Sequence, residues 1–327
     1  MKKLFALLTI ALLASCSDGK VGSKERPFSM YFIPSVDAQK LNNVSSDMAK
    51  YVSKYVSQKL YQKDEGFYVK ASVPTSYIAV VEAFGTKKAD FATFNTFSYI
   101  LTRDIKKYPI EAVIITLRGD GEKTYKGQII ARADSGIKTL EDLKGKTFAY
   151  TDAASTSGFI LPSKLLRDKG IELKDTVFAQ KHDNVVTMVY QKQVDAGATY
   201  YSNPITEELE GGKKVTKITD ARARVMTQFP DVEKAVNIIG YTEEIPNEPW
   251  VLRTNLYDDP AENEKIKGYV VDALQAFGET AEGRVAIKEL ATATSLERVT
   301  DATYEGIRQI ILANKDLNLE EIVKKGK

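Results

Sequence analysis

Ser155, Thr156, Ser157 and Gly158 place three adjacent hydroxyls and a glycine between a short apolar run, 147–151, and a helical pattern, 157–168. The apolar run reads as a buried strand, so the hydroxyls fall on the turn that opens the helix. The first backbone N–H groups of a helix have no intrahelical acceptors and carry the positive end of its dipole. Together with the hydroxyls they can surround a tetrahedral oxyanion, and Gly158 keeps the backbone approachable. One Ser at this position would be explained as an N-cap; three hydroxyls followed by Gly exceed what a cap requires.

Little other chemistry is on offer. His182 is the single histidine and Cys16 the single cysteine, so metal sites built on paired His or on Cys are excluded, and none is expected. Nucleophile-elbow, phosphate-loop and dinucleotide-binding glycine patterns are absent, and no cofactor is implied. His182 opens a helical stretch with Asp183 beside it. In isolation such a His is structural; facing a dianion, its imidazolium would donate a charge-assisted hydrogen bond worth about 1.5–3 kcal/mol. A net charge of +2 with 28% charged residues gives no sign of a nucleic-acid partner.

Strand-like and helix-like segments alternate through the chain. Strands are predicted at 28–34, 67–73, 89–94, 111–117, 127–132, 146–150, 176–180, 194–199, 236–240 and 250–253. Helices are predicted at 41–61, 77–84, 97–107, 139–143, 182–191 and 204–209, and all that follows 253 is expected to be helical, over 262–277, 281–290, 304–313 and 319–325. The alternation argues for α/β architecture with parallel sheets covered on both faces. Two stretches interrupt it: 118–126, with two Gly and five charges, and 242–249, with two Pro and three Glu. Read as crossings between lobes, they divide the chain into a first lobe, 27–120 with 248–327, and a second lobe, 121–247, with a cleft between them.

The chain begins with Lys2 and Lys3, an apolar run at 4–13 and small residues before Cys16, the pattern of a secretory signal. It resembles a bacterial lipoprotein signal, with Leu13-Ala14-Ser15-Cys16 matching the lipobox. That resemblance implies a signal peptide over 1–15, lipidation of Cys16, a tether over 16–26, and anchorage at the periplasmic face of a membrane or the outer cell surface. No internal disulfide is possible with one cysteine.

Most of the mature chain resembles the substrate-binding lipoproteins of phosphonate, phosphite and phosphate ABC importers, the PhnD-like family. Ser155-Thr156-Ser157-Gly158 followed by Pro162 is similar to that family's phosphonate-binding turn, and 139–150 resembles the start of the second lobe in periplasmic binding proteins. The resemblance implies a two-lobed type II periplasmic-binding-protein fold with two interlobe crossings and a central ligand cleft. It further implies a monomer that captures a small oxyanion for ABC permease subunits in the membrane, without enzymatic activity. It assigns ligand contacts to Tyr77, Tyr125, Ser155, Thr156, Ser157 and His182. Glu248, in Ile245-Pro246-Asn247-Glu248-Pro249, stands where the family has an acid facing the ligand; it could accept a P–OH proton or hold a ligand amine. Ser202 stands where members that take aminoalkylphosphonates carry a second acid, seven positions after Asp195. Two alternatives keep the same fold: a lipid-anchored anion sensor feeding a membrane kinase, and an enzyme using His182 and Glu248.

Overall fold

A computed structural model of the chain describes residues 19–208 and 211–313. The signal 1–15, Cys16 and the helix expected at 319–325 lie outside the described residues. Two mixed sheets organise the rest. The first contains β1 (Phe28–Phe32), β2 (Val69–Ser72), β3 (Phe91–Thr93), β4 (Ile110–Leu117), β12 (Pro249–Arg253) and β13 (Ser295–Arg298), in the order β13-β4-β12-β3-β1-β2. The second contains β5 (Thr124–Arg132), β6 (Thr147–Tyr150), β7 (Asp175–Phe178), β8 (Ala196–Tyr201) and β11 (Val236–Pro246), in the order β11-β5-β8-β6-β7. A separate hairpin pairs β9 (Ile205–Glu208) with β10 (Lys214–Lys217).

Helices cover both faces of the first sheet. On one face α1 (Ala38–Tyr61), α7 (Pro260–Glu279) and α8 (Ala281–Ala291) bury Met48, Val52, Val56, Ile266 and Leu274 against Phe28, Phe32, Phe91 and Trp250. On the other lie α2 (Tyr77–Gly85), α3 (Thr96–Ile100) and α9 (Glu305–Ala313). The second sheet is flanked by α4 (Leu161–Asp168), which buries Leu166 against Phe148 and Tyr150, and by α5 (His182–Tyr190), which buries Val185, Val186 and Val189. The one-turn helix α6 (Val232–Ala235) leads into β11. Each of these helices packs through one apolar side, because a helix covering such a layer must bury one face.

Several expectations are corrected. The sheets are not wholly parallel: β12 pairs antiparallel with β3 and β4, and β5 pairs antiparallel with β8 and β11. Both β5 and β12 arrive straight from the other sheet without the crossover helix that parallel neighbours need. Residues 205–208 are strand, not helix: Ile205 and Thr206 face Thr216 and Lys217 across a hairpin turned by Gly211 and Gly212, which adopt φ of 89° and 77°. The span 242–249 is mostly strand as well. β11 runs on to Pro246, which is tolerated because β11 is an edge strand, where Pro and exposed Glu block further pairing. β5 likewise begins within the expected first crossing. β13 interrupts the expected all-helical ending as a four-residue edge strand beside β4. The body also begins before residue 27, since Val21 is buried and its carbonyl accepts from Tyr257 Oη at 2.5 Å.

The links between the sheets reduce to 118–123 and 247–248, and they are bonded to each other. Asn247 N–H donates to Lys123 O at 2.8 Å, and Asn247 Nδ2 donates to Thr116 O and Glu122 O, both at 2.8 Å.

Candidate functional site

The hydroxyl turn is where the sequence put it. β6 ends at Tyr150, Ser155 has extended geometry as the N-cap, and a wide π-type turn, Thr156–Ile160, runs directly into α4. Ser155 Oγ accepts from Gly158 N–H at 3.1 Å. Glycine at 158 is dictated by packing: a Cβ there would stand 2.3 Å from Thr151 Oγ1 and 2.6 Å from Thr151 Cβ.

The three hydroxyls do not act alike. Ser155 and Ser157 line a cleft between the two sheets that encloses about 690 Å³ of empty space, mouth included. Thr156 is fully buried and is absent from that lining. Its Oγ1 accepts from Phe97 N–H at 2.9 Å and donates to Asn95 Oδ1 at 3.2 Å. Asn95 caps α3 by accepting from Ser98 N–H at 2.7 Å, and its Nδ2 donates to Ala154 O at 3.0 Å. Thr156 therefore supplies an acceptor to the start of a helix in the opposite lobe. Asp152 adds a parallel contact, its carboxylate accepting from Ala154 N–H and from Tyr77 N–H at the start of α2, while burial pushes its pKa up.

Tyr77, Tyr125, His182 and Glu248 all line the same cleft as Ser155 and Ser157. Both tyrosines are almost fully buried, and burial is the main reason their pKa values rise. The Tyr125 hydroxyl faces those of Ser157 and Thr156, and that of Tyr77 bonds to Ser35. Phenols held this way remain protonated donors at neutral pH.

His182 departs from expectation. Its Nδ1 lies 2.8 Å from Thr199 Oγ1 and 3.3 Å from Thr151 Oγ1, and its ring meets Tyr200 edge-on at 5.0 Å. Burial, reinforced by the neighbouring Arg224, lowers its pKa to about 3. At neutral pH the imidazole is neutral, so it enters the site as a hydrogen-bonding ring and not as a cation.

The cations come from two arginines that sequence reasoning did not single out. Arg118, 3% exposed, holds Glu248 with Nη2 at 2.6 Å from Oε1 and 2.8 Å from Oε2. Its Nε donates to Ala291 O at 3.0 Å, Nη1 donates to Asn247 Oδ1, and its plane lies 4.8 Å from the Tyr125 ring centre. Thr116 Oγ1 donates to Glu248 Oε2 at 2.9 Å. Arg224 donates from Nε to Tyr200 Oη at 2.7 Å and from Nη2 to Glu289 O at 3.2 Å, which joins the second lobe to the last turn of α8. Both arginines line the cleft. Trp250 lines it too and packs edge-on against Phe91, so it serves core and cleft together. Ser202 is buried and is not part of the lining. Among the described residues no cluster of His, Cys, Asp or Glu is arranged to hold a metal.

The arrangement of hydroxyls, phenols, turn N–H groups and guanidiniums is a donor-rich pocket suited to an oxyanion. Comparison with known proteins points the same way. Residues 30–304 match the family model described as ABC transporter, phosphonate, periplasmic substrate-binding protein. The phosphonates-binding periplasmic protein of Escherichia coli K12 is 26% identical over 276 residues, spanning 81% of this chain and 75% of that one. The crystal structure of a binding-protein component of an ABC phosphonate transporter from Pseudomonas aeruginosa superposes with a TM-score of 0.69 at 22% identity, covering 91% of this chain and 93% of the other. PhnD1 of Prochlorococcus marinus MIT 9301, solved in complex with methylphosphonate, gives a TM-score of 0.65 at 19% identity over 86% and 96%.

Proposed function

Since this chain belongs to the phosphonate-type periplasmic substrate-binding proteins of ABC transporters, we propose that its cleft captures a phosphonate, phosphite or phosphate between the two lobes. It is a solute-binding protein of an importer, so its output is a ligand-bound closed form delivered to permease subunits. The fold is the two-lobed type II architecture of its structural neighbours, and the family is one of binding proteins and not of enzymes.

The observation that carries the ligand reading is the convergence of donors from both lobes. Ser155 and Ser157 on the second lobe share a cleft with Tyr77 on the first and Tyr125 beside the link, and His182 completes the wall. The Thr156 and Ser157 N–H groups, at the first positions of the turn, have no intrahelical acceptors to occupy them. Tetrahedral anions use such donors efficiently, because each bond to a charged oxygen contributes about 1.5–3 kcal/mol. We assign the oxyanion to Ser155, Ser157, Tyr77, Tyr125 and His182. Thr156 is assigned to holding the lobes together, and Glu248 to the pocket wall as the partner of Arg118.

Calorimetric titration tests this reading with lipid-free protein starting at Ser17 and stripped of carried ligand by unfolding and refolding. Submicromolar binding of phosphate, phosphite or methylphosphonate is expected; folded protein that binds none of them would refute it. Family members are exported, and we further assign the membrane anchor to a lipid on Cys16. Replacing Cys16 by Ser is expected to release the protein from the membrane fraction. Retention there, with no lipid mass on the wild-type N-terminus, would remove that assignment.

A further inference from the structure

The charge arrangement around the cleft carries a statement about the ligand's substituent, and it rests on the oxyanion reading above. Among the described residues, Glu248 is the one carboxylate lining the cleft, and both of its oxygens are already engaged. Arg118 forks both oxygens, and Thr116 adds a bond to Oε2. A ligand ammonium group seeking Glu248 would have to displace a guanidinium that is itself buried and anchored at three other points: the Ala291 carbonyl, the Asn247 side chain and the face of Tyr125. Arg224 places a second guanidinium on the same lining. A cation entering this cleft therefore meets the Arg224 guanidinium and an Arg118–Glu248 pair whose charges already cancel, so nothing there offsets the cost of its desolvation.

We propose that Arg118 stands in for a ligand ammonium group, so that the cleft selects oxyanions with an uncharged substituent or none and rejects aminoalkylphosphonates. In this role Arg118 is a specificity-determining residue: it fills the place beside Glu248 and fixes what the far end of the ligand can be. The oxyanion end is unaffected, because its donors come from the hydroxyl turn and the phenols.

The test compares methylphosphonate with 2-aminoethylphosphonate, which share a phosphonate and differ in the charged tail, with inorganic phosphate as the tail-free control. Wild-type protein is expected to bind methylphosphonate at least about tenfold more tightly than 2-aminoethylphosphonate. The Arg118→Gln variant, which leaves Glu248 without its counter-ion, is expected to shift that ratio about tenfold or more toward the amine. The Arg118→Gln, Glu248→Gln double variant is expected to lose that shift. Equal or tighter binding of the amine by wild-type protein would overturn the proposal, and this result needs no variant to fold. A folded Arg118→Gln protein with an unchanged ratio would overturn it as well. Absence of binding to all three probes would instead strike the oxyanion reading itself, a different outcome from tight binding with the wrong preference.

Discussion

Thr156 Oγ1 accepts the Phe97 N–H at 2.9 Å, so a hydroxyl in the second lobe caps a helix in the first. This bond exists only while the lobes are together. Thr156→Val, which keeps the shape and removes the acceptor, is expected to weaken ligand binding by about 1 kcal/mol, roughly fivefold in Kd, chiefly through a faster off-rate. Stopped-flow release with an unchanged off-rate would show that the bond does not contribute to closure.

Ser155 and Ser157 face the cleft itself, and their joint loss should be larger. The Ser155→Ala, Ser157→Ala protein is expected to lose about 2 kcal/mol or more of binding, since donors to a charged ligand are removed. Ser155 is also an N-cap, so circular dichroism must first establish that the variant is folded. Undiminished affinity in a folded variant would move the oxyanion elsewhere.

His182 makes stability depend on pH with a definite sign. Its folded pKa lies near 3 and its unfolded value near 6.5, so between these limits the unfolded chain binds the extra proton. Stability from this residue is complete above about pH 6.5 and falls as pH drops, by roughly 1.4 kcal/mol per unit. Denaturant melts between pH 5 and 6.5 should show that slope in wild-type protein and a shallower one in His182→Gln. Parallel slopes would mean the imidazole is not held neutral.

Gly158→Ala should destabilise the fold as well as the site. The added methyl would meet Thr151 Oγ1 at 2.3 Å, which strand β6 and the cap cannot both yield to without shifting the turn. A loss of about 1–3 kcal/mol in denaturant unfolding is expected, accompanied by weaker phosphonate binding. Unchanged unfolding would show that the turn relaxes freely.

Much of this was legible in the sequence because it depends on neighbours along the chain. The hydroxyl turn, the start of α5 at His182 and the tyrosine opening α2 follow from local periodicity and capping. The separate fate of Thr156 did not, since its partner Phe97 lies 59 positions earlier and belongs to the other lobe. Arg118 sits in the Gly-containing charged stretch read as a crossing between lobes, where nothing local signals burial; its burial follows from Asn247 and Ala291, far downstream. Arg224 alternates with Arg222, which is tied to Asp220 at 2.8 Å, and nothing in the spacing separates the cleft residue from the structural one. Edge strands were misread for a related reason: the Pro and Glu that end a central strand merely protect β11 at the border of its sheet.

The bonds from Asn247 to Lys123, Thr116 and Glu122 have a mechanical consequence. Two linking segments free of each other could bend, shear and twist separately, whereas segments laced together behave as one flexure. The lobes are then left with a single swing about the line of those bonds, in the manner of a door on one pin. Arg118 and Glu248, one on each of those segments, lie beside that pin, while the bond between Thr156 and Phe97, on opposite lobes, registers whether the door is shut.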